Sequence, residues 1–154
     1  PYQGEVPIDA VVDVAQRYLA MQVDEIDVAD TIGVGTPQRV RDVMAAVTRV
    51  VDPARVSGHF HDTYGQALAN ILASLETGIS IFHASVAGLG GCPYAKGATG
   101  NVATEDVLYM LRGLDIDTGV DFDAVVDIGQ WMSANLNRKG SSRAGNAIAA
   151  KRAA

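Results

Sequence analysis

The chain has 154 residues, enough for one ordinary domain and too few for two. At 48% hydrophobic and 19% charged it supplies a packed core and excludes wholesale disorder, and no apolar run approaches the ~20 residues of a membrane span. A net charge of −6 opposes a general nucleic-acid or anionic-membrane surface, and a single cysteine, Cys92, excludes a disulfide framework and a multi-thiolate zinc site.

Taken in order, the chain alternates helical and strand-like stretches. Residues 9–21 place Val11, Val12, Val14, Ala15, Tyr18 and Leu19 near helical spacing. Residues 25–29 read as a short strand, ending in Asp30-Thr31-Ile32-Gly33-Val34-Gly35. Thr36-Pro37 reads as a cap and a first-turn proline, opening a helix to about residue 51. A second strand covers 56–61, and a helix from the following turn to about residue 76 stops near Gly78. A third strand covers 79–84, and a glycine-rich loop spans 88–100. Helices follow over 104–114, with Glu105 and Asp106 in the first turn, and over 121–137. The tail from Lys139 is polar and alanine-rich, and its end is expected to fray. Strand, loop and helix alternating three times indicates a parallel α/β fold, and Asp30-Thr31 and Asp62-Thr63 close successive strands.

Chemistry concentrates at the strand ends. His59 and His61 are alternate residues of one strand, so both imidazoles face the same side with Phe60 opposite. They form half of a metal site or are two polar histidines near a loop. Cys92 lies in Gly88-Leu89-Gly90-Gly91-Cys92-Pro93-Tyr94, where a mobile glycine backbone makes the thiol accessible as nucleophile or proton donor, the alternative being an inert packed cysteine. Asn101 is a neutral oxygen ligand suited to a hard divalent cation, or a turn residue. Asp30 orients a substrate hydroxyl or a metal-bound water, or caps its own turn. Gly33-Val34-Gly35 reads as a tight turn in preference to a phosphate loop. Glu105 reads as a helix-start residue able to reach toward the site, Lys96 as a solvated loop lysine, His83 as buried or structural, and Trp131 as core or subunit packing.

These segments together resemble the C-terminal half of the 3-hydroxy-3-methylglutaryl-CoA (HMG-CoA) lyases. Residues 58–70, from Gly-His-Phe-His-Asp-Thr-Tyr-Gly onward, and residues 85–101, which hold Gly-Gly-Cys-Pro-Tyr, carry the resemblance. Residues 30–37 and 103–111 also match, and the likeness runs to about Arg143. It implies a (β/α)₈ barrel with its site at the C-terminal strand ends, of which this chain holds strands 6, 7 and 8 plus a C-terminal helical extension. Residues 1–137 are then a partial barrel and 138–154 a C-terminal tail.

By resemblance His59, His61 and Asn101 are metal ligands for Mg²⁺ or Mn²⁺, and Cys92, Asp30 and His59 are catalytic. An aspartate ligand, an arginine and a glutamate on the early strands have no counterpart in these residues, so the length and the Pro1 start read as a truncation and the piece alone as inactive and prone to associate. The implied activity is retro-Claisen cleavage of HMG-CoA to acetoacetate and acetyl-CoA, a step of leucine degradation. The complete enzyme is expected as a homodimer in the cytoplasm, or in the mitochondrial matrix of a eukaryote, with no nucleic-acid or membrane partner. A related condensing enzyme of the isopropylmalate or citramalate synthase type, and a non-catalytic half-barrel, are the alternatives.

Overall fold

The computed structural model describes residues 3–91, 97 and 99–154. Three strands, β1 (Ile26–Asp30), β2 (Val56–Phe60) and β3 (Ile81–His83), form a parallel sheet in that order. Parallel neighbours need a crossover, which α2 (Pro37–Val47) supplies between β1 and β2 and α3 (Ala67–Leu75) between β2 and β3. Helix α1 (Ile8–Ala20) precedes the sheet, and α4 (Thr104–Gly113), α5 (Phe122–Asn135) and α6 (Arg143–Arg152) follow it. Among the described residues no helix is long and apolar enough to cross a membrane.

Register and alternation divide the sheet into two faces. Ile26 lies opposite Val56, and Gly58 opposite Phe82. This face buries Ile26, Val56 and Phe60 against Val40, Met44 and Val47 of α2 and Ala67 and Ile71 of α3. Ala15 of α1 and Val107 and Leu111 of α4 complete the same core. Burying each such side chain contributes about 1.5–3 kcal/mol, so this face dictates the register. Gly58 leaves room for the aromatic rings: a Cβ there would sit 2.8 Å from Phe60 Cε2 and 3.2 Å from Phe82 Cδ1. The opposite face carries Asp27 and Ala29 of β1, Ser57 and His59 of β2, and Ile81 and His83 of β3, and most of it is open to solvent.

Several elements differ from the sequence expectation. The third strand is confined to Ile81–His83, because the chain at Ser85 turns to pair with Ala103. The helix after Pro37 ends at Val47, short of residue 51. Thr36 has the extended backbone of a cap but its side chain makes no capping bond, so the proline alone marks the start. The polar, alanine-rich tail, read without a helix, folds as α6, and only its last two residues, Ala153 and Ala154, lie beyond the helix. The Asp106 carboxylate accepts from Ser142 Oγ at 2.9 Å and from the Ala144 amide at 2.7 Å, and Arg152 pairs with Asp123 and Asp127 of α5. Trp131, read as core or subunit packing, is 62% exposed, which rules out the core.

Candidate functional site

Beyond β2 the chain carries His61 into an antiparallel bridge with Asn101. The Val102 amide donates to the Phe60 carbonyl at 3.2 Å and the Asp62 amide to the Gly100 carbonyl at 3.0 Å. Residues 100–102 therefore lie along the end of β2, which brings the far arm of the glycine loop onto the two histidines. Asn101 Oδ1 sits 2.9 Å from His59 Nε2, and Asn101 Nδ2 donates to the Leu89 carbonyl at 2.9 Å. Glycine is required here: a Cβ on Gly90 would meet Asn101 Nδ2 at 2.5 Å, and one on Gly100 would meet the Gly90 carbonyl oxygen at 2.5 Å.

The rings of His59 and His61 are 5.3 Å apart between centroids. His61 is buried, and its Nδ1 has no hydrogen-bond partner among the described residues. A buried polar atom left unpaired costs about 1–3 kcal/mol. Two neighbouring imidazoles and an amide oxygen 2.9 Å from one of them are a donor set that fits a divalent cation, the imidazoles giving nitrogen ligands and Asn101 a hard oxygen.

Two further strand residues, Asp27 and His83, meet His59 on this face, which sequence alone does not show. Asp27 Oδ2 lies 3.8 Å from His59 Nδ1 and 3.5 Å from His83 Nδ1, and Glu25 Oε1 lies 3.9 Å from His83 Nε2. His83, expected to be buried or structural, is instead exposed on the open side of the sheet. The signal for both was strand alternation, but the cross-strand register that aligns His59 with His83 is not legible from one strand.

Asp30 accepts from the amides of Val34 at 3.1 Å and Gly35 at 2.8 Å, so its carboxylate caps the turn that follows β1. Those amides are thereby used, in keeping with a tight turn and against a phosphate cradle. Asn70, fully buried in α3, donates to the Gly35 carbonyl at 3.0 Å. A Cβ on Gly33, at φ +69, would meet Thr63 Oγ1 at 2.6 Å and the His61 carbonyl oxygen at 2.9 Å. The loops after β1 and β2 thus brace one another directly beneath His61.

Glu105 is almost fully buried and does not turn toward the histidines. Both its oxygens accept from the Ala87 amide at 3.0 Å, tying α4 to the turn that opens the glycine loop. Burial lifts its carboxyl above the ordinary value near 4.5, with Asp106 adding to the rise, while bonds from the Ala87 amide and its own backbone amide oppose it. Cys92 and Lys96 lie outside the described residues. A cavity of about 880 Å³ opens beside Asn101, with Tyr64, Arg143 and Lys151 on its walls.

The HMGL-like family model matches residues 1–132. The 3-hydroxy-3-isohexenylglutaryl-CoA/hydroxymethylglutaryl-CoA lyase of Pseudomonas aeruginosa is 57% identical over 151 residues, which are 98% of this chain and 50% of that protein. The mitochondrial hydroxymethylglutaryl-CoA lyase of Macaca fascicularis is 50% identical over 147 residues, 96% of this chain and 45% of that protein. The crystal structure of hydroxymethylglutaryl-CoA lyase from Pseudomonas aeruginosa superposes with a TM-score of 0.94 at 57% identity, covering 98% of this chain and 50% of that one. The chain spans about half the length of the curated relatives it matches. Its parallel three-stranded α/β sheet is in keeping with part of a barrel of that superfamily. By family model, identity and fold together, the chain belongs to the HMGL-like family.

Proposed function

We propose that the complete protein is an HMG-CoA lyase, with β1, β2 and β3 serving as strands 6, 7 and 8 of its barrel and the remaining strands coming from polypeptide outside these 154 residues. The observation that carries the reading is the meeting of Asn101 Oδ1 with His59 Nε2 at 2.9 Å beside the ring of His61, in a chain whose relatives are named as such lyases.

His59, His61 and Asn101 would hold the cation. Bound there, Mg²⁺ or Mn²⁺ supplies Lewis-acid polarisation of the substrate's oxygens. Asp30, fixed by the amides of Val34 and Gly35, orients the substrate hydroxyl. His59, whose Nε2 meets Asn101 Oδ1, is the catalytic member of the histidine pair. A base takes the hydroxyl proton, the oxygen's electrons form the new carbonyl of acetoacetate, and the carbon–carbon bond breaks. Its electron pair then rests on the α-carbon of the thioester. Cys92 delivers a proton to that carbon and completes acetyl-CoA. The cavity beside Asn101 gives the thioester carrier room to extend, and Arg143 and Lys151 match its phosphates in sign.

The test uses the protein at its full natural length, assayed with HMG-CoA and Mn²⁺ for release of acetyl-CoA. Cleavage that His61→Ala abolishes, together with weakened Mn²⁺ binding by calorimetry, supports the reading. Condensation of a 2-oxo acid with acetyl-CoA in place of cleavage would replace the lyase by a synthase. Unchanged Mn²⁺ binding in the variant would remove His61 from the ligand set.

A further inference from the structure

We propose that Asp27, His59 and His83 form a second metal site, suited to a borderline transition ion such as Zn²⁺, which competes with the His59–His61–Asn101 site for the imidazole they share. The three side chains project from three adjacent strands onto the open face of the sheet. Ala29, His59 and His83 lie side by side in the register, and Asp27 stands two residues before Ala29. One donor atom from each of the three lies within 4.8 Å of the other two. The rings of His59 and His83 approach at right angles, 5.7 Å between centroids.

A tetrahedral zinc site spaces its donors about 3.3 Å apart. The three groups must close by at most about 1.5 Å, which rotation about their side-chain torsions supplies. Two imidazoles and one carboxylate are a donor set for zinc and its neighbours.

The surroundings of the cluster are those of a metal site. Ser57 Oγ donates to Asp27 Oδ1 at 3.2 Å, leaving Oδ2, the oxygen that faces both histidines, for the ion. Glu25 stands 3.9 Å from the far nitrogen of His83, on the side where a carboxylate would accept a hydrogen bond from Nε2–H when Nδ1 takes the ion. Carboxylates behind the imidazole in this way fix its tautomer and raise its basicity.

Exclusivity follows from His59 itself. Its Nε2 faces Asn101 and its Nδ1 faces Asp27. A neutral imidazole has one unprotonated nitrogen. When Nδ1 takes an ion the proton sits on Nε2, and the Asn101 side loses a ligand. The competition, though not the second site, rests on the proposed cation site at His59, His61 and Asn101.

The experiment titrates the full-length protein and its His83→Ala variant with Zn²⁺ by calorimetry. In parallel, Zn²⁺ is added to Mn²⁺-loaded protein while released Mn²⁺ is read by electron paramagnetic resonance. The expected result is a loss of tenfold or more in Zn²⁺ affinity in the variant, unchanged Mn²⁺ affinity, and Mn²⁺ release by Zn²⁺ from the wild type only. Equal Zn²⁺ affinity in both proteins, or equal release from both, would mean simple replacement at His61 and Asn101 and overturn the proposal. If the wild type binds no Mn²⁺, the proposed cation site and the competition both fail, and the Zn²⁺ titration still decides the second site. A loss in His83→Ala but not in His61→Ala supports it, and a loss in His61→Ala alone refutes it.

Discussion

Replacing Glu105 by Gln separates the charge of this buried side chain from its shape. In the wild type the carboxyl is 1% exposed and meets the Ala87 amide with both oxygens. Burial raises its folded-state pKa above the ordinary 4.5. Between those two values the folded chain holds a proton that the unfolded chain has released. Stability from this group is therefore fully present below the unfolded pKa and is lost as pH rises through the folded one, after which it is level. Each unit of elevation is worth about 1.4 kcal/mol. Gln carries no charge at any pH and keeps one oxygen for the Ala87 amide, so Glu105→Gln should gain on the wild type as pH rises through that window. Glu105→Ala leaves the amide unpaired and opens a void, costing about 2–4 kcal/mol at low pH, and that cost should shrink through the same pH window as the wild type loses its own stabilisation. Urea unfolding from about pH 4 to about pH 8 measures both, and subtracting the variant's curve cancels the other carboxylates. A wild-type minus Glu105→Gln difference that is flat across the range would refute the assignment of a raised pKa to this residue.

Gly129 tests the same contact from the α5 side. In an open helix Gly→Ala stabilises by about 1 kcal/mol, but here the new Cβ lands on Glu105 Oε1, so Gly129→Ala should destabilise, and combining it with Glu105→Ala should restore the ordinary sign in a double-mutant cycle. Asp106→Ala removes the acceptor for Ser142 Oγ and for the amides of Arg143 and Ala144. It should cost about 1–2 kcal/mol and speed hydrogen exchange through α6, while amides of β2 keep their protection. Cys92→Ala should lower kcat roughly 10²–10⁴-fold, the range for loss of a general acid, with Mn²⁺ affinity by calorimetry unchanged. Full turnover in that variant would remove the cysteine from the chemistry.

What was legible in the sequence was whatever a single element encodes. The helix start at Pro37, the strand through His59 and the halt near Gly78 each follow from local residue types, and each is present. The pairing of His59 with His61 on one side also follows from strand alternation alone. Asn101 could be suspected as a ligand but not placed. Its approach to His59 depends on residues 100–102 lying back along β2, which two hydrogen bonds at a distance of some forty residues enforce. The same limit hid Asp27 and His83, whose meeting with His59 is a matter of register between strands. Asp30, which read as chemistry or a turn cap, closes its own turn, and Gly33 and Asn70 brace neighbouring loops.

Helix α6 shows a different kind of illegibility. Its residues, Arg-Ala-Gly-Asn-Ala-Ile-Ala-Ala-Lys-Arg, have no apolar stripe, so periodicity gives no reason to expect it to dock. It is held by its ends. Asp106 of α4 and the Ser142 hydroxyl receive its first amides, and Arg152 closes its last turn on two carboxylates of α5. Both anchors are ionic or charge-assisted and sit on helices that precede it in the chain. A tail read by itself therefore shows a polar, alanine-rich segment, and only the assembled α4 and α5 turn it into a helix walling the cavity beside Asn101.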